Sequence, residues 1–309
     1  MRILITGGAG FIGSHVVEAL LKRGNKVRVI DNFSTGKRET ARLLQDMGSE
    51  LMEGDVRSYH IVREAMDGVD KVVHLAALPS VPRSVKDPIT TNEVNVGGTL
   101  NVLDAARESG VCRVVFASSS SVYGANTDLP KNEKMVPQPI SPYAVSKLAG
   151  EKYCQAFTRT YSLETISLRY FNVFGPRQDP QSAYAAFIPK CAQALRDSAP
   201  FVIDGDGKQS RDFTYVSNVV QANLLALQVE NISGEVFNIA CGESLSVLEV
   251  VSQLQQSAGK LGNVTHGPSR IGDVPHSLAD ITRARSMLGY EPEITAKEGL
   301  ALVAEGFSN

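Results

Sequence analysis

The sequence predicts an α/β protein: a doubly wound parallel sheet with a smaller mixed α/β lobe at its C-terminal end. Three observations carry that prediction. Short apolar strands alternate with amphipathic helices over the first 170 residues, and the first strand–helix junction is the run Gly7-Gly8-Ala9-Gly10-Phe11-Ile12-Gly13. Beyond about residue 175 the alternation loosens into Gly/Pro/Asp-rich connections.

In chain order, residues 2–6 read as a buried strand, and Val16, Val17, Leu20 and Leu21 keep helical spacing in a helix that runs to Arg23. Strands follow at 26–30, 50–53, 71–75 and 113–118, with helix-like stretches near 38–47, 58–66 and 88–109 between them. Strands separated by helices pair in parallel and are covered on both faces. A turn-rich segment at 124–142 precedes a long helix at 141–161, and 164–170 supplies a sixth strand. The pattern places a Rossmann-type dinucleotide-binding domain at 1–175 and a substrate lobe at 176–309, with the chain crossing between the two. That lobe is expected to hold short strands near 201–203, 211–215 and 235–239 and helices near 185–197, 217–228, 246–258 and 296–305. It should fold against the carboxyl edge of the sheet, where open α/β sheets bind ligands.

Composition narrows the function classes. The 309 residues are 43% apolar and 21% charged, which is ordinary globular usage and excludes a disordered chain or a disulfide scaffold. Thirty-one basic residues against thirty-three acidic ones give a net charge of -2 with no basic block, so neither nucleic acid nor an anionic membrane is an expected partner. Cys112, Cys154, Cys191 and Cys241 stand far apart, and the five histidines have no metal-ligand spacing, so reduced packing thiols and no metal are expected. No apolar run approaches the ~18 residues of a membrane span, and Met1-Arg2 leads straight into a strand without room for a signal peptide. The expected compartment is the cytoplasm.

Gly7, Gly10 and Gly13 form the first chemical constellation. Missing side chains at this spacing permit a tight turn, close backbone approach to a pyrophosphate, and contact between helix and sheet. A simple glycine turn is the alternative. Asp31 ends the second strand eighteen residues past Gly13, where a carboxylate can accept both hydroxyls of an adenosine ribose and repel a 2′-phosphate. That selects NAD over NADP. The competing reading makes Asp31 a cap for the loop 32–36, and Lys37-Arg38 keep NADP open. Asp55-Val56 and Leu75-Ala76-Ala77, after the third and fourth strands, would line the adenine and the rest of the dinucleotide.

The second constellation is Ser118-Ser119-Ser120-Ser121 after the fifth strand with Tyr143-x-x-x-Lys147 at the start of the long helix. Residues four apart share a helix face, so the Lys147 ammonium can favour the ionised Tyr143 phenol. A tyrosine lowered from ~10 towards neutral would serve as general base on a sugar hydroxyl, with a strand-end serine on the same oxygen. The alternative is an ordinary helix exposing a Tyr and a Lys.

These motifs, with Ser-Ser-Val-Tyr-Gly at 120–124, Ser-Pro-Tyr-Ala-Val-Ser-Lys at 141–147 and Leu-Arg-Tyr-Phe-Asn-Val-Phe-Gly-Pro at 168–176, resemble the extended short-chain dehydrogenase/reductase superfamily from end to end. Within it the chain is similar to the nucleotide-sugar 4-epimerases. The resemblance implies Ser119 and Tyr143 at the reacting hydroxyl and Lys147 on the nicotinamide ribose. It implies further cofactor contacts at Phe11, Ile12, Asn32, Asn95 and Tyr170. Ser80, Ser120 and Ser121 fall on the substrate side, Asn172, Arg211 and Arg270 on a diphosphate, and Asp273 on a uridine ribose. Arginine forks suit a diphosphate, although each of these residues read alone would be a surface ion pair.

Family dehydratases carry an Asp-Glu pair immediately before Val-Tyr-Gly, where this chain has Ser120-Ser121. Without those carboxylates a 4-keto sugar has one exit, the return of the hydride, which is epimerisation without net redox change. Ser80-Val81-Pro82-Arg83-Ser84, Arg177-Gln178-Asp179-Pro180 and Tyr184-Ala185-Ala186 resemble epimerases of UDP-N-acetylglucosamine and UDP-N-acetylgalactosamine. Ser277 stands where glucose-restricted relatives carry a bulky tyrosine, leaving space for an acetamido group. Pro79, a glycine in close relatives, leaves a UDP-glucose-only or a UDP-glucuronate enzyme as alternatives. A non-catalytic dinucleotide sensor is the competing class, but such proteins usually lose the tyrosine or the lysine. The resemblance also implies a homodimer through the helices around 94–109 and 144–160.

Overall fold

The computed structural model describes residues 1–181, 186–268 and 275–306. Tyr184, Ala185, Arg270 and Asp273 lie outside the described residues. The first part of the chain runs β1 (Arg2–Thr6), α1 (Phe11–Lys22), β2 (Lys26–Asp31), α2 (Arg38–Asp46), β3 (Glu50–Glu53), α3 (Tyr59–Ala65), β4 (Lys71–His74), α4 (Val81–Lys86) and α5 (Pro88–Asn92). A widened π-type turn (Glu93–Gly97) leads into α6 (Gly98–Glu108), then β5 (Arg113–Ser119), a single 3₁₀ turn (Ser120–Tyr123), α7 (Pro142–Tyr161) and β6 (Glu164–Tyr170). Next come β7 (Val173–Phe174), α8 (Phe187–Arg196), β8 (Phe201–Asp204), β9 (Ser210–Arg211), β10 (Thr214–Tyr215), α9 (Val216–Gln228) and β11 (Glu235–Ile239). The chain finishes with β12 (Leu245–Ser246), α10 (Val247–Ala258), β13 (Val264–Gly267), a second π-type turn (Ala284–Leu288) and α11 (Ala296–Glu305).

Seven strands form one parallel sheet in the order β11-β6-β5-β4-β1-β2-β3. The order reverses between β1 and β4, which opens a crevice at the carboxyl ends of those two strands. Alternate residues of each strand face opposite sides. Ile3 and Ile5 of β1 join Val16, Val17 and Leu20 of α1 and Val219 and Leu227 of α9 on one face. Leu4 joins Val62 of α3, Val102 and Leu103 of α6 and Phe157 of α7 on the other. A third core holds the smaller lobe, with Phe174, Ile188, Ile203 and Phe213 packed among Val250 and Leu254 of α10 and Leu300 of α11.

Two sequence expectations change. The strand at 235–239, expected in the smaller lobe, is the seventh strand of the main sheet, in parallel register with β6. Its address is set by α9, which packs beside α1 and returns the chain to the sheet edge. The strand at 211–215 is two short strands, because β9 pairs with β12 and β10 pairs with β7, with Asp212-Phe213 turning between them. The helix expected at 88–109 runs without interruption from Pro88 to Glu108 as α5, the π-type turn and α6, and the wide turn carries the buried Asn95.

Local signals set the helix that matters most for the site. Ser141 caps α7 by accepting from Ala144 N–H at 3.2 Å, and Pro142 occupies its first position. Glu151 of α7 and Arg169 of β6 form a bidentate pair at 2.8 Å for each contact, with side chains 1% and 4% exposed, and Ser118 donates to the same carboxylate. This pair locks α7 against the sheet. Removing one member strands the other charge, so Glu151→Ala should cost about 3–5 kcal/mol, read as a lower urea midpoint. An unchanged midpoint would show that α7 is held by apolar packing alone.

Candidate active site

The crevice is a cleft of about 230 Å³ at the carboxyl ends of β1, β2, β4 and β5. Gly7 has φ +71°, and a Cβ there would lie 2.8 Å from the Ala76 amide nitrogen. A Cβ on Gly13 would sit 2.2 Å from the Gly7 carbonyl oxygen. Both positions therefore exclude a side chain. α1 has no side-chain cap and no acidic residue in its first turn, so its leading N–H groups and positive dipole end remain available to an anion.

Asp31 closes the far end. Its carboxylate accepts from Ala9 N–H at 2.9 Å and Phe33 N–H at 2.8 Å, and burial raises its pKa against those two bonds. Asp31 is thus both the loop cap and a cleft wall, since each oxygen keeps a further lone pair for a hydroxyl. Lys37 pairs with Asp179 at 3.7 Å, and Arg38 grips Glu53 through two contacts at 2.9 and 2.6 Å. The cations that kept a 2′-phosphate open pair with surface carboxylates and do not line the cleft.

Of the residues expected at the cofactor, Gly7, Gly10, Phe11, Ile12, Gly13, Asp31, Asn32, Val56, Leu75, Ala76, Ala77, Tyr143, Lys147 and Tyr170 line this one cleft. Two do not. Asp55 faces a neighbouring surface depression, where Arg57 and Asn32 hold its carboxyl down at about 2. Asn95 is buried and grips the loop after β4, accepting from Leu78 N–H at 2.8 Å and donating to Leu78 O at 3.2 Å.

Asn95 belongs to a polar chain that sequence reasoning missed. Ala76 N–H donates to Thr6 Oγ1 at 3.1 Å, and Thr6 Oγ1 meets His74 Nδ1 at 2.7 Å. His74 Nε2 meets Thr99 Oγ1 at 3.0 Å, Thr99 donates to Asn95 O at 2.6 Å, and Asn95 Nδ2 donates to Ser146 Oγ at 3.0 Å. Ser146 ends the chain on the Tyr143 carbonyl at 2.7 Å. Burial, then the nearby Lys147 charge, pushes His74 down to about 3, so its ring is neutral. The signal was present as Thr6 and His74, polar residues at the ends of otherwise apolar strands.

Lys147 is buried at the end of β5, donating to Ala117 O at 2.8 Å with its Nζ 6.0 Å from the Tyr143 ring centroid. Burial lowers its pKa to about 8. Tyr143 departs from expectation: burial raises its pKa, and a hydrogen bond with Ser119 opposes the rise. The Lys147 ammonium rests against the Ala117 carbonyl and the Phe116 ring face. Ser121 donates to Ser119 Oγ at 3.0 Å, which places Ser119, Ser120 and Ser121 in one turn, whereas Ser118 is the serine that lines the cleft with Tyr143. Ser80 caps α4 with φ +101°, next to Pro79 on the cleft wall.

Three of the expected substrate residues meet outside the dinucleotide cleft. Asn172 donates to Asp212 O at 3.2 Å, Arg211 donates to Ser210 O and Pro275 O at 2.9 and 3.0 Å, and Ser277 N–H donates to Ser210 O at 3.0 Å. All four cysteines are free; Cys154 and Cys191 are buried, whereas Cys112 is exposed. Among the described residues no helix is long and apolar enough to cross a membrane.

The model of the NAD-dependent epimerase/dehydratase family matches residues 3–240, and the chain belongs to that family. It is 38% identical to a putative UDP-glucose 4-epimerase of Methanocaldococcus jannaschii over 99% of this chain and 98% of that one. The UDP-glucose 4-epimerase of Thermotoga maritima, solved with UDP-glucose, superposes with a TM-score of 0.95 at 38% identity, covering 100% and 99% of the two chains. A UDP-N-acetylglucosamine 4-epimerase of Methanobrevibacter ruminantium, solved with UDP-N-acetylmuramic acid, gives 0.94 at 38% identity, covering 99% and 98%. NAD is the cofactor of the family, and the glycine cradle, the open α1 N-terminus and Asp31 fit it.

The cradle yields a direct test. Gly13→Ala must push α1 away from the Gly7 carbonyl, weakening NAD binding about ten-fold or more. NAD released on denaturing the purified variant measures this, and a full complement would contradict the cradle.

Proposed function

We propose that the protein is an NAD-dependent UDP-sugar 4-epimerase that interconverts UDP-N-acetylglucosamine and UDP-N-acetylgalactosamine, and also UDP-glucose and UDP-galactose. The observation that carries the reading is Tyr143 and Lys147 together on the cleft wall, one helical turn apart on α7, with Ser120 and Ser121 where a dehydratase needs carboxylates. Bound NAD supplies the oxidation of C4 and its reversal. The chain supplies the proton chemistry: Tyr143 takes the C4 hydroxyl proton, Ser119 holds the same oxygen, and Lys147 holds the ribose beside them. Burial opposes ionisation of Tyr143, so positive charge from Lys147 and the oxidised cofactor must offset it. Asn172, Arg211, Arg270 and Asp273 would hold the UDP, and Ser80 and Ser277 would border the sugar. The resemblance to the 4-epimerases carries the expectation of a homodimer through α6 and α7.

Proton NMR of the purified protein with each UDP-sugar, following anomeric signals without added NAD, tests the activity. Both pairs should interconvert, and Tyr143→Phe should lose at least about 100-fold of the rate. If neither sugar reacts even with added NAD, the substrate class is wrong. Ser277→Tyr fills the space given to the acetamido group, so it should abolish turnover of the acetylated pair while sparing UDP-glucose. Equal loss on both sugars would remove Ser277 from the specificity argument.

A further inference from the structure

Asp212 is a fully buried carboxylate whose partners are backbone N–H groups rather than a cation. Oδ1 accepts from Cys241 N–H at 2.9 Å, and Oδ2 accepts from Gly242 N–H at 3.0 Å and Ala279 N–H at 3.1 Å. Its own carbonyl accepts from Asn172. One residue therefore joins three segments: the turn after β6, the end of β11, and the stretch leading out of Ser277. Arg211 precedes it directly, and Arg211 and Ser210 are bonded in turn to Pro275 and Ser277. Burial alone would drive this carboxyl to its neutral form, and the three donors act against that.

We propose that Asp212 is the positioning residue of the UDP site, fixing Asn172 and Arg211 relative to the segment that carries Ser277. The inference rests on the reading of those residues as the UDP-binding set. Asp212 touches no substrate atom; it sets the spacing of the groups that do. Asparagine keeps its volume but brings an N–H₂ towards backbone N–H donors, so at least one of the three bonds becomes a donor–donor contact.

UDP titrated into the NAD-loaded protein by calorimetry is the test. Asp212→Asn should weaken UDP binding roughly ten- to hundred-fold, raise KM for the UDP-sugar, and leave kcat and NAD content close to wild type. A folded variant with wild-type UDP affinity would overturn the inference. Should the variant fail to fold, hydrogen exchange on the wild type decides: UDP should slow the Cys241, Gly242 and Ala279 amides together, and no slowing there would overturn it. Wild-type protein that does not bind UDP would sink the underlying site reading instead, a result distinct from either.

Discussion

The close approach of backbone to backbone where β1 turns into α1 is the constraint on which the site depends. Gly7 lies against Ala76, and Gly13 against the Gly7 carbonyl, at distances that leave no room for a Cβ. That contact brings the α1 N-terminus to the switch point of the sheet and leaves space for a dinucleotide between β1 and β4. Asp31 secures the same turn from the second strand through Ala9.

Buried polar contacts then set the remaining parts relative to that turn. The chain from Thr6 through His74, Thr99 and Asn95 to Ser146 joins the glycine strand, the loop after β4 and the first turns of α7. Glu151 and Arg169 fasten the same helix to β6. Each side chain from Thr6 to Ser146 has a defined partner, which is what a buried polar network requires to specify one arrangement, whereas Arg169 keeps one guanidinium nitrogen without a hydrogen bond. Tyr143 and Lys147 inherit their placement from it. Asp212 has the corresponding place in the smaller lobe, where it collects three segments on one carboxylate.

Much of the sheet was legible because parallel strands buried on both faces are short apolar runs, and β3 and β6 match their sequence ranges. The glycine spacing and the Tyr143/Lys147 pair were legible because their chemistry needs residues at fixed local offsets. What escaped depends on distant partners. Nothing local to 235–239 says that β11 pairs with β6, and nothing local to Asn95 says that its amide grips Leu78 seventeen residues earlier. Spacing likewise shows the lysine near Tyr143 but not the burial that opposes ionisation of its phenol.

The epimerisation proposed for this cleft oxidises a sugar carbon and returns the same hydride to it. UDP-glucose carrying deuterium at C4, incubated with the NAD-loaded protein in ordinary water, tests it most directly. The UDP-galactose formed should retain the deuterium at C4. UDP-galactose with the label exchanged for solvent hydrogen would contradict it.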